Sequence, residues 1–152
     1  MEDNQFNRLC IDCKLHLSSH FLVNYGTFVC HYCADTHTQM AGNRQSRLYV
    51  KHVLHEQWDD YQLKSVCLGG NAAMFEICKE YGIEKLNLRE KTSHDAMKWY
   101  KKRHLAMMDD MPFDGMKPPK DMDERINQLT VMSGKHLSNV VNWASVKTQA
   151  LK

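Results

Sequence analysis

Two cysteine pairs, Cys10-x2-Cys13 and Cys30-x2-Cys33 with sixteen residues between them, constrain this chain more than any other feature. Each pair can offer two thiolates from one tight turn, and four thiolates close a tetrahedron around zinc at about 2.3 Å. Zinc accepts soft sulfur ligands and imposes no geometry of its own, and four sulfurs leave no position for a reacting water. The expected site is therefore a structural Zn2+ held by Cys10, Cys13, Cys30 and Cys33. Redox dithiols or an iron–sulfur centre would use the same residue type, but redox pairs usually stand singly at the start of a helix. His31 and His37 lie close by in sequence, and a thiolate quartet needs neither.

The rest of the composition excludes more than it selects. With 43% hydrophobic and 25% charged residues, the chain has the make-up of one globular domain with an extension. A net charge of +2 is too small to argue for nucleic acid or an anionic membrane. No stretch reaches the roughly 20 apolar residues that span a bilayer, and the start lacks the pattern of a signal peptide. Six cysteines could make three disulfides in a secreted chain, but without an export signal the tight Cys-x-x-Cys pairs read as metal ligands in a reducing compartment, so an intracellular location is expected.

Between the pairs, the aromatic and β-branched residues of 21–29 predict short strands broken at Gly26, and 47–54 predicts another. A helix is expected from about Glu56 to the stop at Gly69 and Gly70, followed by one that Asn71 caps and Gly82 ends. Cys67 and Cys78 fall on these helices and are expected to pack as small buried hydrophobes. Thr92 to Asp95 suggests a capping box for a third helix over 93–108, whose Lys98, Lys101, Lys102 and Arg103 form a solvated face. All three prolines, Pro112, Pro118 and Pro119, lie in a linker, and two further helices are expected over 121–133 and 136–150. The fold class is α+β, divided into a zinc domain (1–106), a Pro-rich linker (107–120) and a helical C-terminal extension (121–152).

The cysteine spacing, the Cys10-Ile-Asp-Cys13 knuckle, the run from Asn24 to Cys33, His37, Trp58 and the Gly70-Asn71 pair together resemble the Arf GTPase-activating protein (ArfGAP) zinc finger family over about residues 8–90. The run Asn24-Tyr-Gly-Thr-Phe-Val-Cys-His-Tyr-Cys33 is similar to the family's Asn-Leu-Gly-Val-Phe-Ile-Cys-x-x-Cys. The resemblance implies an ArfGAP-like C4 zinc finger, a small sheet surrounded by helices.

It also implies an arginine separated from the last cysteine by four residues, and the matching position holds Thr38. The family's tryptophan between the knuckles falls on His20, and Lys51 stands where a second arginine would be. An arginine finger contributes about 10³ to 10⁵ in rate, and threonine cannot replace its charge. The expectation is thus a chain that is not an enzyme, with no catalytic residues, acting as a structural or accessory subunit of a larger protein assembly. The alternative readings are an atypical activator of Arf-type GTPases using Arg44 or Arg47, and a GTPase-binding regulator without activating function. The partners expected are other protein subunits, mainly through the C-terminal extension, and a small GTPase, with no nucleic acid. The family points to the cytoplasm, and an accessory place in a mitochondrial inner-membrane complex is the other location considered.

Overall fold

Strands form here where apolar residues alternate between two covered faces. In a computed structural model of the chain, residues 5–42 and 49–133 are described. The central strand β1 (His20–Leu22) pairs antiparallel with β2 (Thr27–Val29) and with β3 (Val50–His52), giving the order β2-β1-β3. The register sets Phe21 opposite Phe28 and Lys51, and His20 opposite Val29 and His52. Phe21 and Val23 point to one face, where Met108, Trp58, Val66 and Leu105 cover them. Leu22 and Val29 point to the other, into the larger core with Cys10, Met74, Met97 and Tyr100. A strand with apolar residues on both faces must be sandwiched, and the helices supply the two slices.

Helix α1 (Gln5–Arg8) leads into the first knuckle, and α2 (His31–Ala41) grows directly out of the second. The sheet is followed by α3 (Asp60–Leu68), α4 (Asn71–Glu80), α5 (Leu88–Ser93) and α6 (Asp95–Met108). The first unit of the chain runs to Met116, and its last stretch folds back along α6, where the Trp99 indole N–H donates to the Gly115 carbonyl at 2.8 Å. Phe113 meets the same indole edge to face. The second unit, 117–152, contains a helix over 122–133 that starts with the Asp121 carboxylate accepting from the Glu124 N–H. The helix expected over 136–150 lies outside the described residues. Among the described residues no helix is long and apolar enough to cross a membrane.

Several local expectations are corrected. Helix α3 starts four residues later than Glu56, because Asp59 and Gln62 form a capping box and Glu56 is drawn back to the His52 N–H and the Lys51 ammonium. The capping box expected at Thr92 to Asp95 stands instead at Asn87 and Glu90, ahead of α5, and His94 caps α6 with its imidazole. Cys78 is buried as expected, but Cys67 is exposed, since α3 turns its Ser65 and Val66 inward instead. Asn71 is not a cap. It is the first residue of α4, and its fully buried amide donates to the carbonyls of Phe6, Leu9 and Phe28 while accepting from the Phe28 N–H. One side chain thus ties α1 and β2 to α4.

The β1–β2 turn fixes how α3 and α4 approach the sheet. Gly26 has φ of 63°, in the region that favours glycine, and a Cβ there would collide with the His104 ring and crowd Gly69. The Gly70 N–H reaches the Gly26 carbonyl at 2.6 Å, so backbone meets backbone with no side chain between.

His104 and Ser65 are both buried beside this contact. The Ser65 hydroxyl donates to the Val23 carbonyl at 2.7 Å and therefore accepts from the His104 Nε2–H at 2.8 Å. Burial holds the basicity of His104 below the ordinary histidine range, helped by the Arg103 charge. A folded-state pKa depressed below the unfolded value of about 6.5 means that the unfolded chain takes up the proton first. Stability from this residue is then fully present above that value and is lost as the pH falls below it, by at most about 1.4 kcal/mol per pH unit. Denaturant midpoints of the metal-loaded protein at pH 7.5 and 5.5 should differ more for the natural chain than for His104→Gln. Equal shifts in the two would show that His104 does not carry the effect.

Candidate metal centre and the helix beside it

The first knuckle is a tight turn in which the Lys14 N–H donates to the Cys10 carbonyl and the Cys10 N–H to the His16 carbonyl, both at 2.9 Å. Lys14 has φ of 57°, a left-handed conformation that costs a non-glycine residue roughly 1 kcal/mol. The second knuckle is the first turn of α2, where Cys30 is the N-cap and Cys33 follows one turn on. A helix start presents unpaired N–H groups and a partial positive charge, a setting that favours thiolate.

These two turns bring the sulfurs of Cys10, Cys13, Cys30 and Cys33 to within 4.8 Å of one another. The Cys13 and Cys30 sulfurs are 3.8 Å apart. Vertices of a tetrahedron with zinc–sulfur bonds of about 2.3 Å stand about 3.8 Å apart, so the donor set fits that ion in number, chemistry and spacing. Burial pushes the Cys10 thiol up to about 11 and raises Cys33 as well, with the neighbouring Cys10 charge adding to it. At Cys13 burial acts in the same direction, but the N–H groups of Leu15 and His16 and the His16 ring outweigh it and bring the thiol down to about 6. Cys10 and Cys33 thus resist ionisation in this pocket without a cation beside them, a role that a dication would fill.

Under the knuckles lies a charged cluster that the sequence reading missed. The Asp12 carboxylate, between the first two cysteines, bonds His37 Nε2 at 2.9 Å, and both side chains are only 4% exposed. Its other oxygen has no hydrogen bond and faces the equally buried Lys91 ammonium at 3.9 Å. Asp12 thereby links the cysteine turn to α2 and α5. The signal was an acid between two cysteine ligands, while nothing in the sequence marks Lys91.

Thr38, next to His37, is half-buried and donates its hydroxyl back to the Ala34 carbonyl at 2.9 Å. Arg44 and Arg47 lie outside the described residues. Arg89 shares a groove with Thr36, Gln39 and Met40, but residues two apart on a helix point about 200° from one another, so this groove is on the flank of α2 away from Thr38. His20 sits by the start of α2 with its ring 5.5 Å from that of His31 and 4.8 Å from that of His52, and Lys51 is paired with Glu56 at 2.9 Å. Burial, with the His52 and His31 rings, lowers the basicity of His20.

With this geometry in view, residues 1–109 match the ArfGap family, described as "Putative GTPase activating protein for Arf". The chain belongs to the ArfGAP family. The bovine ADP-ribosylation factor GTPase-activating protein 3 is 24% identical over 102 residues, which is 66% of this chain and 19% of that protein. A Caenorhabditis elegans protein named uncharacterized protein F07F6.4 is 27% identical over 96 residues, 62% of this chain and 18% of its own length. The chain thus spans about a fifth of the length of these relatives. In structure, a Cryptosporidium parvum protein described as a "putative GTPase activating protein for ADP ribosylation factor" superposes with a TM-score of 0.53 at 21% identity, covering 71% of this chain and 82% of that one. The mixed fold of helices around a small antiparallel sheet with a four-cysteine cluster is therefore the ArfGAP fold.

The family assignment corrects the expectation of a chain that is not an enzyme. That expectation rested on Thr38 together with the departures at His20 and Lys51, whereas the family and the bovine relative are named as GTPase activators. Replacing one side chain removes one contribution to rate and leaves the scaffold of knuckles, sheet and α2 in place.

Proposed function

We propose that this ArfGAP-family chain stimulates GTP hydrolysis by an Arf-type small GTPase, on a scaffold stapled by one structural zinc ion at Cys10, Cys13, Cys30 and Cys33. The observation that carries this reading is the family match across both knuckles, the sheet and α2. The zinc, when bound, supplies charge neutralisation and a rigid crosslink and takes no part in hydrolysis. Asp12 holds α2 at His37, next to Thr38, and Arg44 and Arg47 follow α2 in the sequence. A guanidinium supplied by either would meet the charge that develops on the transferring phosphoryl group.

Single-turnover GTP hydrolysis by an Arf-type GTPase, with and without this chain, is the test. Stimulation of at least about a hundredfold is expected, with either Arg44→Ala or Arg47→Ala removing most of it, since a finger contributes about 10³ to 10⁵. Thr38→Arg should add little, because the surrounding loop differs from the family pattern. A GTPase that binds the chain but hydrolyses GTP no faster would overturn the reading.

A further inference from the structure

We propose that the face built from α1, the first cysteine knuckle and the start of α2 is a docking site for an acidic peptide segment of a partner protein that carries bulky apolar side chains. This does not depend on how the chain treats a GTPase.

The knuckle places apolar side chains outward where a metal turn has no need of them. Leu15 and Leu17 are 79% and 64% exposed, and Tyr32, between the second pair of cysteines, is 67% exposed. Leu15 and Leu17 flank His16 in this turn. Leu17 bridges to Leu9 across the turn, and the Tyr32 ring lies 5.3 Å from that of His16. Beside Leu9 a groove of about 280 Å³ opens between α1 and α4, lined by Phe6, Leu9, Ile11 and Phe75 with Lys14 at its edge. Such a groove has room for one or two large side chains, and contiguous apolar surface on a small domain commonly marks association.

Charge selects the occupant. Among the described residues 5–17, the charged side chains at the surface are Arg8 and Lys14, both cationic, and the one carboxylate, Asp12, is turned inward onto His37; at the start of α2 the exposed Asp35 carboxylate is paired with His31 at 3.3 Å. The Lys14 ammonium stands 4.9 Å from the centroid of the Phe75 ring, over the groove, where a carboxylate from the occupant would reach it. A bilayer could use the exposed leucines, but it is flat and would leave the groove unfilled, and two cations draw it only weakly, at about 1 kcal/mol each. A peptide with apolar anchors at helical spacing and acidic residues between them fills the groove and pairs both cations.

The test titrates the full metal-loaded chain into two labelled peptides of about sixteen residues, long enough to form a helix on binding. Both carry leucine and phenylalanine at i, i+3, i+4 and i+7, one with glutamate and the other with lysine at the remaining positions. The glutamate peptide should bind at least tenfold more tightly. Leu15→Glu should weaken it by tenfold or more, and the double variant Arg8→Glu, Lys14→Glu should reverse the preference, with metal content showing that each variant keeps its fold. Absence of binding by both peptides, equal binding, or a preference for lysine in the natural chain would overturn the proposal. So would recruitment to phosphatidylserine vesicles by a chain that ignores the glutamate peptide, since the face would then be a lipid surface.

Discussion

Stripping the metal with a strong chelator should unfold the first unit of this protein, not merely loosen it. Three strands of three residues each make a sheet too short to stand by itself, and the two turns that fix β1, β2 and α2 converge at four sulfurs that a zinc ion would join. Structural zinc in small thiolate sites is worth about 10–16 kcal/mol, against a total stability of about 5–15 kcal/mol for a whole domain. The left-handed Lys14 and the crowded thiols add to what the ion must hold. One zinc per chain is therefore expected by metal analysis, and far-UV and near-UV circular dichroism should both collapse on chelation. Cys10→Ser should reproduce the collapse, while Cys67→Ser, at an exposed position, should change stability by no more than about 0.5 kcal/mol. A chelated protein that keeps its near-UV signal would mean that the core, not the metal, sets the fold.

The metal pattern was legible because its chemistry is local. Two turns of fixed geometry need only their own spacing, and the strand break at Gly26 announced itself through a residue that no other could replace. The helix starts were less legible because a capping box needs only a short polar side chain and an acid or amide three residues on, a pattern that several stretches satisfy. Asp59 with Gln62 and Asn87 with Glu90 won where packing let them. Asn71 shows the limit most clearly. As a residue after two glycines it reads as a cap, yet its amide is spent on three carbonyls from α1, the first knuckle and β2, partners between 43 and 65 residues away. Contacts at that separation leave no local mark. The same holds for Lys91, which looks like any helical lysine and is buried against Asp12. The inference from Thr38 to a loss of activity failed for a related reason. It weighed a few departures, with Thr38 foremost, against a family likeness that is spread over residues 1–109.

Asp12→Ala should be the most damaging substitution outside the cysteines, by about 3–5 kcal/mol, because it strands a buried cation instead of deleting a favourable contact. The Lys91 ammonium is 3% exposed and faces the Asp12 carboxylate at 3.9 Å, and His37 loses its hydrogen bond to Asp12 at the same time. Lys91→Met removes the charge along with its need for a partner and leaves the Asp12–His37 hydrogen bond intact, so it should cost much less. The double variant is the decisive measurement. If the penalty of Asp12→Ala is mainly a stranded charge, adding Lys91→Met should recover at least about 1 kcal/mol of it, well beyond the few tenths expected of independent sites. Losses that simply add would show that Asp12 acts through its packing alone. The stakes reach past stability, since His37 precedes Thr38 on α2 and Asp12 lies between two cysteine ligands. A variant such as Asp12→Asn preserves shape and can still meet one of the two partners. It should keep its metal while the amide protons of α2 exchange faster with solvent, and unchanged exchange there would show that α2 is held by the sheet and not by the knuckle.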